Sequence, residues 1–218
     1  MKWNTMMRNT TTRNISFAVI ALLAALPLLA QAPKGWKVRT DRSAEAEDPD
    51  AAGAVKLAAT GAGFHINTPQ AAVFWNPANS ASGNYSLKGT FTLQQPTGHA
   101  EYYGIIFAGN GLEGAAQSYL YFVVAEDGTW LVKHRSGPST DTVVDKTPNA
   151  AVKQPDASGK ATNALEVRVG ASKIDFVVNG TVVGSTPKSG MAAKTDGVYG
   201  IRSNHHLELQ VDNFGMGK

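Results

Sequence analysis

Along residues 33–218, hydrophobic and polar positions alternate in short runs, each closed by Gly, Pro, Asn or Asp. A period of two bounded by turn residues is the pattern of half-buried β-strands. Tyr85 to Leu93 shows it at greatest length, with Tyr85, Leu87, Phe91 and Leu93 on one face and Ser86, Lys88, Thr90 and Thr92 on the other. Trp36 to Arg39, Trp130 to His134, Leu165 to Val169, Ile174 to Val178 and Leu207 to Val211 repeat it on a smaller scale. Tyr119 to Val124 is apolar on both faces, which predicts a central strand.

Asp127-Gly128 and Asn179-Gly180 each join two such runs. Asp, Asn and Gly tolerate positive φ, so both pairs predict two-residue type I′ hairpins. Asp156 to Thr162 reads as a polar surface loop, and the acidic, Ala-rich stretch Ser43 to Gly53 reads either as a short helix or as a loop. There is no internal repeat, and no linker is long enough to separate domains. About a dozen strands at this spacing predict an all-β fold, a single two-sheet β-sandwich of jelly-roll type over residues 33–218.

The first 32 residues follow another pattern. Lys2, Arg8 and Arg13 precede an apolar run from Ile15 to Ala30, and Ala30-Gln31-Ala32 supplies small residues beyond it. This is the layout of a secretory signal peptide. The run is shorter than the roughly 20 residues that span a bilayer, and Pro27 interrupts it. The expectation is therefore export to the periplasm or the medium, with no membrane attachment after cleavage. Charge supports the division. The chain carries 20 basic and 17 acidic residues, and three of the basic ones lie in this leader, so the remainder is balanced. A balanced domain has no cationic excess to track phosphates, which excludes a nucleic acid partner. With no cysteine, there is no disulfide framework, thiolate nucleophile or Cys-ligated zinc.

Motifs of chemistry are sparse. Gly109 to Gly114 matches G-x-G-x-x-G, but a strand rather than a helix is expected next, so a dinucleotide site is not. Ser185-Thr186-Pro187-Lys188 matches S-x-x-K, but Pro187 prevents a shared helical face. The paired carboxylates of a glycosidase are absent as an E-x-D-x-x-E strand motif, which leaves Glu101 as a lone catalytic candidate. His205 and His206 adjoin; as strand neighbours they would point to opposite faces, which argues against a shared metal. No cofactor is expected beyond a structural calcium ion, for which Asp212 is the candidate.

More informative are the aromatic and planar polar residues embedded in strands: His65, Asn67, Trp75, Tyr119, Tyr121, His134, Arg135, Arg202, Asn204 and His205. Aromatic faces combined with side chains that fork hydrogen bonds suit sugar hydroxyls.

The stretches Gly63 to Thr68, Ala72 to Asn79, Tyr119 to Phe122, Lys133 to Arg135, Gly200 to His205 and Val211 to Phe214 give the chain a resemblance to secreted bacterial proteins of the concanavalin A-like lectin/glucanase superfamily. Neighbouring groups there are the 3-keto-disaccharide hydrolases and the family 16 glycoside hydrolases. The resemblance implies a concanavalin A-like jelly roll whose concave sheet holds a glycan. The resulting expectation is a non-catalytic carbohydrate-binding protein, with Trp75 and Tyr121 stacking on sugar rings. The alternatives are a glycoside hydrolase-like enzyme using Glu101, and a structural or interaction module of the cell envelope.

Overall fold

The computed structural model describes Met1 and residues 33–44, 50–61 and 63–217. The leader from residue 2 to 32 lies outside the described residues, as does 45–49 of the acidic stretch. The described chain forms β1 (Lys37–Thr40), β2 (Lys56–Thr60), β3 (Gly63–Thr68), β4 (Ala72–Ala81), β5 (Tyr85–Leu93), β6 (Tyr102–Asn110), β7 (Ser118–Ala125), β8 (Thr129–Ser136), β9 (Ser139–Pro148), β10 (Ala161–Val169), β11 (Lys173–Val178), β12 (Thr181–Pro187), β13 (Gly197–Ser203) and β14 (Leu207–Met216). A single 3-10 turn, Gly190–Ala192, is the helical element among the described residues.

The strands make two antiparallel sheets of seven. The front sheet runs β1-β4-β13-β6-β7-β8-β9 and the back sheet β12-β11-β10-β5-β14-β3-β2. This is the two-sheet jelly-roll sandwich that the alternation predicts. The register shows why. On β5, Tyr85, Leu87, Phe91 and Leu93 are buried between the sheets, while Lys88 points out to solvent. Phe74, Tyr103, Ile105, Phe107, Phe122 and Ile201 meet them from the front sheet.

The front sheet differs in one respect. Its outer face is also apolar and buried: Val73, Trp75, Ile106, Tyr119, Tyr121, Val123 and Leu131 form a second cluster. The glycine-rich connection between β6 and β7 drops Leu112 onto that cluster. That covering is the reason β7 reads as apolar on both faces, and the G-x-G-x-x-G match is this loop.

One hairpin turns out as expected and the other does not. Asn179 and Gly180 have φ of 50° and 82°, and Val178 pairs with Thr181, as a two-residue type I′ turn requires. Between Ala125 and Thr129 the connection has three residues, and of these Gly128 alone has positive φ. The Asp127 carboxylate instead accepts from the backbone N–H and hydroxyl of Thr129, at 3.1 and 2.5 Å. That bond holds the longer loop, which corrects the type I′ expectation for Asp127-Gly128.

Candidate functional site

A pocket of about 390 Å³ opens on the outer face of the front sheet, at the end where β6 starts and β13 stops. Its floor is Tyr121 and Val123 of β7, with Leu131 and Lys133 beside them on β8. Tyr102 of β6 and Arg202 of β13 continue the floor. One wall is Glu101, Asn204 and His205; the other is Arg42, Ser43 and Asp50.

Two short turns build the first wall. The Glu101 backbone N–H donates to the His99 carbonyl at 2.9 Å, a tight turn that brings both side chains to one side. The Asn204 N–H donates to the Tyr102 carbonyl at 2.9 Å, which ties the β13–β14 turn to the start of β6. His205 therefore meets Glu101: its Nε2 lies 2.8 Å from Glu101 Oε1, and its Nδ1 lies 3.4 Å from Asp50 Oδ1. His99 Nδ1 approaches the same Glu101 oxygen at 3.2 Å. The side chains of Glu101 and His205 are only 5 % and 9 % exposed, whereas His99 is half exposed. His205 and His206 are not strand neighbours. They sit in the turn, with His206 at φ of 58°, and their rings lie 4.8 Å apart. The expectation that they point to opposite faces fails for that reason.

Beneath the pocket lies a buried ionic network centred on Asp41, whose side chain is fully buried. Arg202 and the Tyr119 hydroxyl both bond its Oδ2. Gln117 donates to Oδ1 at 2.8 Å, and Arg135 approaches that oxygen at 3.4 Å. Burial opposes ionisation of Asp41, but Arg202, Tyr119, Arg135 and Gln117 together outweigh it and hold the carboxyl below its ordinary range. Arg202 also lies over the Tyr121 ring, 4.7 Å from its centroid, a cation–π contact.

Of the residues singled out from sequence, Glu101, Tyr121, Arg202, Asn204 and His205 come together in this pocket. Tyr119 and Arg135 lie under it in the network; Arg135 also donates to the Arg42 carbonyl at 2.8 Å. Trp75 shares the face but is only 3 % exposed, packed in the apolar cluster outside the pocket. Tyr121 has the Arg202 guanidinium on its ring. The stacking platforms expected of these two are thus occupied by protein. His134 bonds the Ser118 hydroxyl at 3.0 Å near another hollow. His65 and Asn67 stand on the back sheet, where His65 pairs with Glu208 at 2.9 Å. Alternation places them on one face, but that face belongs to the other sheet. Asp212, also on the back sheet, accepts from Gln210 Nε2 at 2.9 Å.

Sequence reasoning passed over several residues, His99 and the pocket's Lys133 among them. Tyr102, half-buried, is the aromatic side chain that the pocket leaves accessible. Asp50 lies in the acidic stretch, where nothing marks one carboxylate above its neighbours. Asp41 did carry a signal: a single acid placed between Arg39 and Arg42.

This architecture is a concanavalin A-like jelly roll. Among solved structures, the carbohydrate-binding module CBM66 from Bacillus subtilis matches with a TM-score of 0.59 at 9% identity, over 84% of this chain and 96% of that one. A Bacillus subtilis protein of unknown function with a galectin-like fold gives 0.55 at 12% identity, over 84% and 89% of the two chains. The Bacteroides ovatus mixed linkage glucan GH16, in complex with its product, gives 0.55 at 9% identity, over 84% and 95%. At such identities the likeness is one of fold. No protein-family model and no curated protein matches the chain.

Proposed function

We propose that this protein is an exported, non-catalytic module that binds a short carbohydrate in the pocket on the front sheet. The observation that carries the reading is the pocket itself. Its volume of about 390 Å³ falls at the small end of ligand clefts. Its lining presents the planar polar groups of Asn204 and Asp50 and the Lys133 ammonium beside the Tyr102 ring. Such groups pair with adjacent hydroxyls. Two of the fold neighbours carry carbohydrate in their names, which supports the same reading. Recognition here rests on polar forks more than on stacking, because Trp75 and Tyr121 are covered.

A hydrolase is the second reading, and one observation favours it. Glu101 and Asp50 lie on opposite nitrogens of the His205 imidazole, both lining the pocket. A pair of carboxylates lining one cleft is what glycoside hydrolysis needs; here the His205 ring lies between the two.

A glycan-array screen with calorimetric follow-up tests binding, and mass spectrometry of the same sugars tests turnover. Asn204→Ala and Lys133→Ala are each expected to weaken binding roughly tenfold, the size of one lost hydrogen bond, with an unchanged melting temperature. Unaltered affinity in both variants would overturn the pocket as the site. Turnover abolished by both Glu101→Gln and Asp50→Asn would replace the binding reading with the hydrolase.

A further inference from the structure

We propose that His99, Glu101 and His205 form a site for a divalent transition-metal ion of the zinc type at the rim of the pocket. One donor atom from each residue lies within 4.8 Å of the other two. The measured separations from Glu101 Oε1, 2.8 Å to His205 Nε2 and 3.2 Å to His99 Nδ1, come close to the edge of a zinc tetrahedron. Arms of roughly 2.0–2.1 Å give an edge of about 3.3 Å.

Two further features point to an ion rather than to a simple ion pair. His205 is more than nine-tenths buried, and its Nε2 has no hydrogen-bond partner despite lying so close to Glu101. The two atoms approach without the alignment of a donor and an acceptor, as ligands aimed at a common third point do. On the far side of the ring, Nδ1 faces Asp50 Oδ1. A carboxylate behind a ligating imidazole fixes the tautomer and raises ligand basicity. Two imidazoles and one carboxylate suit zinc and its neighbours over calcium or magnesium, which demand oxygen. Three protein ligands leave a fourth position. Glu101 and His205 both line the pocket, so that position opens towards whatever the pocket holds. The inference stands apart from the carbohydrate reading, since it needs no sugar.

The test uses purified protein without a histidine tag, stripped by a chelator, dialysed and titrated with zinc chloride in the absence of sugar. One equivalent per chain is expected by calorimetry and elemental analysis, with a melting temperature that rises with zinc concentration. His205→Gln and the half-exposed His99→Ala should each weaken zinc binding by roughly a hundredfold or more, and Asp50→Asn by about tenfold. His206→Ala, altering the imidazole outside the triad, should leave it unchanged. The absence of stoichiometric zinc binding would overturn the proposal. So would affinity that survives both His99→Ala and His205→Gln, or a preference for calcium over zinc.

Discussion

Asp41→Asn is expected to cost this domain about 3–5 kcal/mol, the cost of leaving buried charge without its counter-ion. Asparagine keeps the shape and can still accept a hydrogen bond, so the loss isolates the charge. Arg202 and Arg135, with side chains only 6 % and 3 % exposed, would face each other's field with no anion between them. At about 2–4 °C per kcal/mol for a chain of this size, the melting temperature should fall on the order of 10 °C. Glu113→Gln provides the contrast. Glu113 pairs with Lys37 at the surface, and that substitution should stay within about 0.5 kcal/mol. The pH dependence follows from the direction of the Asp41 shift. Its folded pKa is lowered, so its contribution is present above the unfolded carboxyl value of about 3.9 and is lost as pH falls through the folded value. Urea midpoints taken across acidic pH should therefore fall more steeply in the native protein than in the variant. Equal slopes would show that Asp41 is not held ionised by its arginines.

The sandwich was legible because period-two alternation is a local property that burial between sheets enforces. Tyr85 to Leu93 matches β5 residue for residue. β9 escaped the same logic: it lies on the rim of the front sheet, is largely exposed and shows no apolar face in its sequence. The candidate site was half legible for a related reason. Alternation tells which side chains share a face, but not which sheet that face belongs to. His65 and Asn67 therefore read the same as Arg202 and Asn204 until the topology separates them. The pairings that matter most join distant segments: Asp41 to Arg202 and Glu101 to His205. No short-range spacing encodes such contacts. The glycine-rich loop and residues 41–44 after β1, which cover part of the outer face of the front sheet, decide which aromatics are accessible, and that covering has no local signature.

Trp75 shows what that covering does, and its substitution separates packing from recognition. Trp75→Ala is expected to cost about 3–5 kcal/mol, the range for truncating a buried aromatic side chain. The indole packs with Val73, Ile106, Leu112 and Tyr119 on the outer face, and the neighbouring strand comes close at Gly200, where an added Cβ would lie 3.1 Å from Trp75 Cβ. The surroundings cannot close the gap cheaply, because β4 and β13 are held by their own ladders. Calorimetry should show a melting temperature lower by roughly 10 °C, while the protein still folded at low temperature binds sugar as tightly as the parent. Tyr102→Ala should show the reverse balance, since Tyr102 lines the pocket half-exposed and its hydroxyl bonds Thr129 at 3.0 Å near the surface. There, affinity should fall about tenfold for a modest change in stability. If Trp75→Ala instead left the melting temperature intact and removed binding, the indole would be a sugar platform after all. The apolar cluster around it would then have to open in solution.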